Sequence, residues 1–337
     1  ASASLHQIRA SVEVKSATYA HLSPQDITLE IETLSQRKAQ LEVRSSAARI
    51  SECLIVAATV DGCISKLQKS DVFQPCHVFL DEAAYCPLIK GITLLSFDSP
   101  LTLLGDHMQI PPVCEADDRH FLKADFMPVF LWSQSSLYIE DVFYKSLNQL
   151  SSDYQNRCLP LFAELQKYDL LHTFRFGENL ARVLAHFVYT ANFQGNEKIN
   201  TNIITLHAPL QFQPPKKNTS PSESQAIVRY LSQHSCADYA VLTPYRNQRT
   251  LLADTNPRIL SPENVFTIHG SQGREWDTVF LSVVSPSPTW FLTPKLINTA
   301  VSRAKKSLII VCDCESWKRH SDHIIGALVS AENHKGA

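Results

Sequence analysis

Val78-Phe79-Leu80-Asp81-Glu82 is an apolar run that stops at two adjacent carboxylates. A second run, Leu101-Thr102-Leu103-Leu104, stops at Gly105-Asp106-His107-Met108-Gln109-Ile110-Pro111-Pro112. Short apolar runs bounded by turn residues read as buried strands. The stretch between the two tips has room for one short helix, so parallel neighbours joined by a crossover are expected. In an open α/β sheet, ligands gather beyond the carboxyl ends of the strands. A strand delivering Asp81 and then Glu82 to that edge offers one carboxylate to hold Mg²⁺ and one to polarise an attacking water, as phosphoryl transfer requires. By itself the pair also has a plainer reading, a helix N-cap with a favourable dipole contact. At the second tip, Gly105 permits close backbone approach, Gln109 offers a neutral donor and acceptor to a terminal phosphate or water, and the Pro pair stiffens the exit.

Outward from these tips, apolar runs alternate with helical segments. Towards the amino terminus a β-like run near Ser11–Val14 precedes a polar helical segment from Pro24 through Arg49, with Ser23 as N-cap and Pro24 at the first helical position. Its loose stripe of Ile27, Ile31, Leu34 and Leu41 reads as a solvated helix; a nucleic-acid clamp built on Arg37, Lys38, Arg44 and Arg49 is the sharper alternative. Cys53–Val60 reads as a buried strand. Thr59 at its end and Ser65 beyond it either touch a sugar-phosphate backbone or cap the following helix.

Residues 113–135 have no clear period and read as a crossing between domains, and Leu137 to Leu170 reads as helix in two pieces. Then follow a helix over Glu178–Tyr189, a strand over Ile203–Leu206, a Pro/Ser/Lys loop from Gln213 to Ser222 and a helix over Glu223–Gln233. Strands over Tyr239–Leu242, Val265–Ile268 and Thr278–Val284, a helix over Lys295–Lys306, a strand over Leu308–Cys312 and a closing helix from Ser316 to Asn333 complete the chain. Strands alternating with helices twice over imply two α/β layers with parallel sheets.

Composition bounds the rest. The 337 residues suffice for two domains with sizeable cores. A net charge of −2 gives no general basic field, so nucleic acid would have to be held in a local groove. The nine Cys include no Cys-x-x-Cys pair and sit mostly in apolar runs, as reduced core thiols of a cytoplasmic or nuclear protein do. No apolar run approaches the ~18 residues that span a bilayer, so no membrane partner is expected. The start at Ala-Ser-Ala-Ser, without Met, reads as a trimmed beginning. Cys312 and Cys314, with His320 and His323, have spacing that could ligate zinc; a strand-end thiol pair beside surface histidines is the plainer reading. None of the nine Gly is followed by Lys, so the phosphate loop Gly-x-x-x-x-Gly-Lys-[Ser/Thr] is impossible in this chain.

Taken together, the motifs resemble those of superfamily 1 helicases, in the group that includes the nonsense-mediated-decay helicase and RecD-like enzymes. Asp81-Glu82-Ala83-Ala84-Tyr85 resembles the Walker B box, and Gly105 to Pro112 resembles motif III. Thr173-Phe174-Arg175 resembles motif IV, and Leu242-Thr243-Pro244-Tyr245-Arg246-Asn247-Gln248 the segment after it. Thr267-Ile268-His269-Gly270-Ser271-Gln272-Gly273-Arg274-Glu275-Trp276-Asp277 resembles motif V, and Asn298-Thr299-Ala300-Val301-Ser302-Arg303-Ala304-Lys305 resembles motif VI.

The resemblance implies an α/β fold of two RecA-like domains with parallel sheets, residues 1–134 forming an incomplete first domain and 135–337 the second. It implies ATP and Mg²⁺ as cofactors, with Asp81 binding Mg²⁺, Glu82 activating water, Gln109 coupling the γ-phosphate to the nucleic-acid groove, and Arg175 and Arg303 as arginine fingers. Gly273 and Glu275 would approach the nucleotide's phosphates and ribose. Thr59, Pro111, Thr243, Tyr245, Thr267 and His269 would line the track of a single strand of DNA or RNA, along which movement is typically 5′→3′. The chain departs from the family in lacking motif I, in having Phe176-Gly177 where His-Pro is usual, and in having Val301-Ser302 where Leu-Thr is common. The reading is therefore the carboxyl-terminal part of an ATP-driven helicase or translocase, inactive as an ATPase without the amino-terminal part of the same protein. The competing reading is a non-catalytic nucleic-acid-binding or scaffold module with degenerate nucleotide geometry.

Overall fold

A computed structural model describes residues 23–67, 73–112, 168–209 and 218–331. The expected domain boundary after residue 134, the run near Ser11–Val14, the crossing over 113–135 and the helical pieces from 137 to 167 lie outside the described residues. The chain divides into two compact units, residues 1–78 with 93–101, and residues 79–92 with 102–337.

In the first unit, helix α1 (Pro24–Glu52) starts as its sequence dictates. The Asp26 amide donates to Ser23 Oγ and the Ser23 amide to Asp26 Oδ2, both at 3.2 Å, closing a capping box with Pro24 in the first turn. Ile27, Leu29, Ile31 and Leu34 are exposed, as a solvated helix requires. The expected strand over Cys53–Val60 does not form: Leu54 is 102% and Ile55 87% exposed, and Val60 already begins a short helix. An apolar run becomes a buried strand only where neighbouring strands cover it, and no described strand pairs with this one. Strands β1 (Val78–Leu80) and β2 (Leu101–Leu103), of which only Val78 and Leu101 count with the first unit, form a two-stranded sheet. Val78 N–H donates to the Pro100 carbonyl and Leu104 N–H to the Leu80 carbonyl, both at 2.9 Å, so residue numbers rise together along the pair as parallel strands require.

The second unit is built on a five-stranded sheet of order β5-β9-β8-β6-β7, with every pairing parallel. The strands are β5 (Asn202–His207), β6 (Tyr239–Thr243), β7 (Val265–Thr267), β8 (Trp276–Ser282) and β9 (Ala304–Cys312). A smaller parallel pair joins β3 (His172–Gly177) to β4 (Gln194–Asn196). Alternation along the strands sorts the core into two faces. Ala240, Leu242, Val279, Leu281, Leu308 and Ile310 pack under helices α2 (Glu178–Phe187), α5 (Pro294–Val301) and α6 (Ile324–Ser330). Val241, Phe280, Ile309 and Val311 face the other way, against Ile227 of α3 (Pro221–Gln233) and Leu252 of α4 (Arg246–Thr255). Both faces are covered, which is why these strands read as unbroken apolar runs.

Two expected helices are shorter than their sequences suggest. The helix expected over Lys295–Lys306 is α5, which ends at Val301. Trp276 N–H donates to the Arg303 carbonyl at 3.0 Å and Ala304 pairs with Trp276, so sheet pairing captures the chain before another helical turn can form. The closing helix from Ser316 splits into a turn at Cys314–Trp317 and α6, which His323 caps by accepting from the Ile325 amide. Gly326 lies against the His320 carbonyl, where a β-carbon would come within 2.0 Å of the oxygen.

Candidate functional site

The acidic tip is a tight turn. Glu82 adopts a left-handed backbone, φ 52°, and its carbonyl accepts from the Tyr85 and Cys86 amides. A non-glycine residue held there stores about 1–3 kcal/mol, an expense that surrounding contacts must offset. Those contacts are visible: the Ala83 amide donates to the Leu104 carbonyl at 2.8 Å, and Ala83 is fully buried. Gly105 is what lets the two tips meet, since a β-carbon on it would lie 3.0 Å from the Ala84 amide nitrogen. The Asp81 and Glu82 residues are exposed, with Asp81 Oδ1 accepting from the Glu82 amide at 2.9 Å.

From the turn after β2, residues 105–112, a hydrogen-bonded chain runs to α5 and to Arg303 just beyond it. Gln109 Nε2 donates to Asp106 Oδ2 at 3.0 Å, which orients its Oε1 to accept from Arg303 at 2.5 Å. Tyr189, beyond the end of α2, donates its hydroxyl to the same Asp106 oxygen. Asn298 Nδ2 donates to the Tyr189 hydroxyl at 2.9 Å and to the Met108 carbonyl at 3.0 Å, and Thr299 Oγ1 accepts from the Ile110 amide at 3.1 Å. Burial and the Asp106 charge both push the Tyr189 phenol well above its ordinary range.

Arg303 is 3% exposed and donates to the Thr299 and Arg274 carbonyls at 3.1 and 3.3 Å. Burial lowers its pKa most, and the neighbouring Arg175 charge lowers it further, while the charges of Glu82 and Asp106 oppose the shift. Glu82 and Arg175 thus each lie within electrostatic reach of Arg303. Arg175, on β3, donates to Glu275 at 2.7 Å and to the Ser302 carbonyl at 3.3 Å. Gly105, Asp106, Gln109, Arg175, Glu275 and Ser302 line one cleft of about 690 Å³, into which the 75%-exposed Phe174 also faces.

The expected strand-track residues divide. Thr59 belongs to the first unit, and its hydroxyl accepts from the Gly62 amide at 3.0 Å; of the two sequence readings, helix capping is the one seen. Ser65 Oγ donates to the Gly62 carbonyl. Thr243 is fully buried at the end of β6, its hydroxyl taking the Tyr245 amide at 3.4 Å, so it shapes its loop from within. Pro111 is exposed, and Thr267, Tyr245 and His269 are half-buried. Thr267 Oγ1 accepts from the Gly270 amide at 3.2 Å. Gly273 has φ 71° and open space where a side chain would sit, so the turn needs glycine for its backbone. Burial, and then the Arg246 charge, lower the His269 pKa, which favours the neutral ring. Arg37 and Lys38 lie on α1, and nothing is described of the Arg44 and Arg49 side chains.

No group of three metal-ligating side chains exists among the described residues. The thiols of Cys312 and Cys314 are 4.0 Å apart, with Cys314 N–H on His207 Nδ1, while His323 pairs with the Leu292 carbonyl, so the zinc spacing does not assemble. Sequence reading quoted Phe174 and Asn298 within motifs but gave neither a role, and it did not single out Tyr189, Trp290 or Phe291. The partners of Tyr189 lie 83 and 109 residues away, beyond any local pattern.

For ATP and Mg²⁺, the observed groups fit in part. Exposed Asp81 suits a cation that keeps most of its waters, and the Ser302 hydroxyl is buried at the cleft without a hydrogen-bond partner in the protein. The cleft thus offers guanidinium, amide and hydroxyl donors for the terminal phosphate end of a nucleotide, while this chain supplies no phosphate loop.

Comparison with known proteins gives the class. AAA-domain family models match residues 5–117 and 211–315. With the parallel sheet, they define a helicase-type nucleotide-binding fold. The Arabidopsis thaliana "DNA replication ATP-dependent helicase/nuclease JHS1" is 25% identical over 295 residues, covering 78% of this chain and 20% of that protein. "Helicase sen1" of Schizosaccharomyces pombe is 24% identical over 310 residues, covering 86% of this chain and 17% of that protein. The mouse "3'-5' exoribonuclease HELZ2" is 25% identical over 300 residues, covering 76% of this chain and 10% of that protein. Among solved structures, that of the PRRSV helicase aligns with a TM-score of 0.37 at 21% identity, over 70% of this chain and 34% of that one. The chain belongs to the superfamily 1 helicases of the Upf1/Sen1 type. It spans a tenth to a fifth of the length of these curated relatives.

Proposed function

We propose that this chain is the part of an ATP-dependent helicase or translocase that supplies the acids and guanidinium groups of the hydrolytic cleft, with the phosphate loop contributed by another segment of the full-length protein. The observation that carries the reading is Gln109 bridging Asp106 and Arg303, with Glu82 in electrostatic reach of the same guanidinium. When bound, Mg²⁺ would screen the charge between the terminal phosphates, with Asp81 as its protein ligand.

Glu82, on its strained turn, is the base that orients and deprotonates the attacking water. Arg303 and Arg175 neutralise charge that develops on the transferred phosphoryl group. Each now donates to protein oxygens, Gln109, Glu275 and backbone carbonyls, and exchanges them for phosphate oxygens as the cleft fills. Gln109 senses that exchange, because losing Arg303 frees its Oε1, and Pro111, two residues on, passes the change to the strand track. Phe174 offers an exposed aromatic face on which a base can stack.

The test is single-strand-stimulated ATP hydrolysis by the full-length protein on DNA and on RNA, with Glu82→Gln as the variant. Hydrolysis stimulated by one or both strands and abolished in Glu82→Gln is expected, and negligible hydrolysis by this chain alone. Binding without hydrolysis in the full-length protein would favour the scaffold reading. Turnover by this chain alone, lost in Glu82→Gln, would refute the need for an external phosphate loop.

A further inference from the structure

The loop after β8 is unusually well held for a segment that ends in an exposed Trp. It begins at Val284, a β-branched residue with φ 67°, a backbone that such residues avoid. Strain of this kind persists only where the surroundings impose it, and is found where a structure must present something. What imposes it is the fully buried Glu223 of α3, whose Oε1 accepts from the Val284 amide at 2.9 Å and whose Oε2 accepts from Ser282 at 2.6 Å. Gln248 Nε2 donates to Ser282 Oγ at 3.0 Å and so ties in α4, the helix that Tyr245 precedes.

Two further pins follow. The Trp317 indole donates to the Ser285 carbonyl at 2.6 Å, and the His323 ring pairs with the Leu292 carbonyl at 2.9 Å, while Leu292 is 1% exposed. Between the pins the loop turns Trp290 outward, 89% exposed, edge-on to Phe291 at 5.6 Å. Phe291 packs its inner side on the core and continues the aromatic surface to Tyr245 at 5.6 Å and to the His269 ring, stacked at 6.4 Å. A large apolar ring left in water on a rigid loop contributes nothing to folding. Beside it stand Tyr245 and His269, both expected to line the strand track, and the Arg246 charge acts on His269.

We propose that Trp290 and Phe291 form a base-stacking platform for single-stranded nucleic acid, pre-built by the anchored 284–293 loop and extending the track of Tyr245 and His269. The occupant is a nucleobase. Aromatic faces take any base, so this contact adds affinity without sequence readout, and cations alongside hold the backbone. The inference rests on the proposed function, because it needs a strand on that face.

The experiment measures binding of a labelled oligothymidylate and oligouridylate to the full-length protein without nucleotide, by anisotropy, with one abasic site scanned along each strand. Trp290→Ala is expected to weaken binding about tenfold, the effect of losing one stacked base, while Trp290→Phe stays within about threefold. The slope of log Kd against log salt should not change, since no phosphate contact is removed. One abasic position should cost the wild type a similar factor and cost Trp290→Ala nothing more. Affinity unchanged in Trp290→Ala, or abasic losses equal in variant and wild type, overturns the platform while leaving the proposed function standing. A wild type that binds neither strand overturns both. Trp290 is exposed, so unchanged thermal unfolding of the variants checks that the fold is intact.

Discussion

β1 and β8 read alike in sequence, apolar runs leading to polar tips, but they meet different fates. In β8 the residues Val279, Phe280 and Leu281 are fully buried between helices on both faces of a five-stranded sheet. In β1, which pairs only with β2 among the described residues, Phe79 is 65% exposed. Their carboxylates differ in the same way. Glu223, beneath the end of β8, is sealed in and its pKa is raised by burial to about 8, whereas Asp81 and Glu82 at the end of β1 stand in solvent. Where an apolar run does form a strand, the cover it receives decides whether the carboxylates at its end are sealed in or left in solvent.

The largest expected effect separates chemistry from anchoring. On the proposed reading, Arg303→Ala in the full-length protein lowers stimulated turnover about a thousandfold or more, as loss of an arginine finger does, while single-strand affinity holds. Equal losses of turnover and binding would show that Arg303 merely supports the fold. Next comes stability. Phe280→Ala should cost about 3–5 kcal/mol by urea denaturation, the range for a fully packed aromatic. Phe79→Ala should cost under about 1 kcal/mol, as at ordinary exposed sites. A loss at Phe79 rivalling that at Phe280 would break the comparison.

The last prediction concerns the pH dependence that Glu223 imposes. Its folded pKa of about 8 lies above its ordinary value of 4.5, so between those limits the folded chain holds a proton that the unfolded chain releases. The sign follows: stability from this group is complete below pH 4.5 and drains away as pH rises to about 8. One proton sets an upper limit of about 1.4 kcal/mol per pH unit. Unfolding free energies measured from pH 5 to 8 should fall in the wild type and flatten in Glu223→Gln, and equal slopes would remove Glu223 as the cause.

Much of the fold was legible because its strands are sandwiched. Leu308–Cys312 and Thr278–Val284 announce themselves as apolar runs, since both faces of β9 and β8 are covered. Cys53–Val60 carries the same signal and fails, because burial belongs to the assembled sheet. The helix expected over Lys295–Lys306 overran by five residues, its true end at Val301 being set by Trp276, far away in sequence.

By itself, the sequence determined which chemistry-bearing groups exist and in what order: two carboxylates, a Gly-Asp-x-x-Gln turn, two arginines, and no Gly-Lys pair anywhere. Those are local facts of residue type and spacing. Only the tertiary structure decided that Gln109 meets Arg303, 194 residues distant, that Tyr189 joins Asp106 to Asn298, and that Trp290 faces outward from a pinned loop. The physical reason is range. Backbone propensity and periodicity act over a few residues, whereas a hydrogen bond across a cleft exists only after packing has brought distant strands side by side.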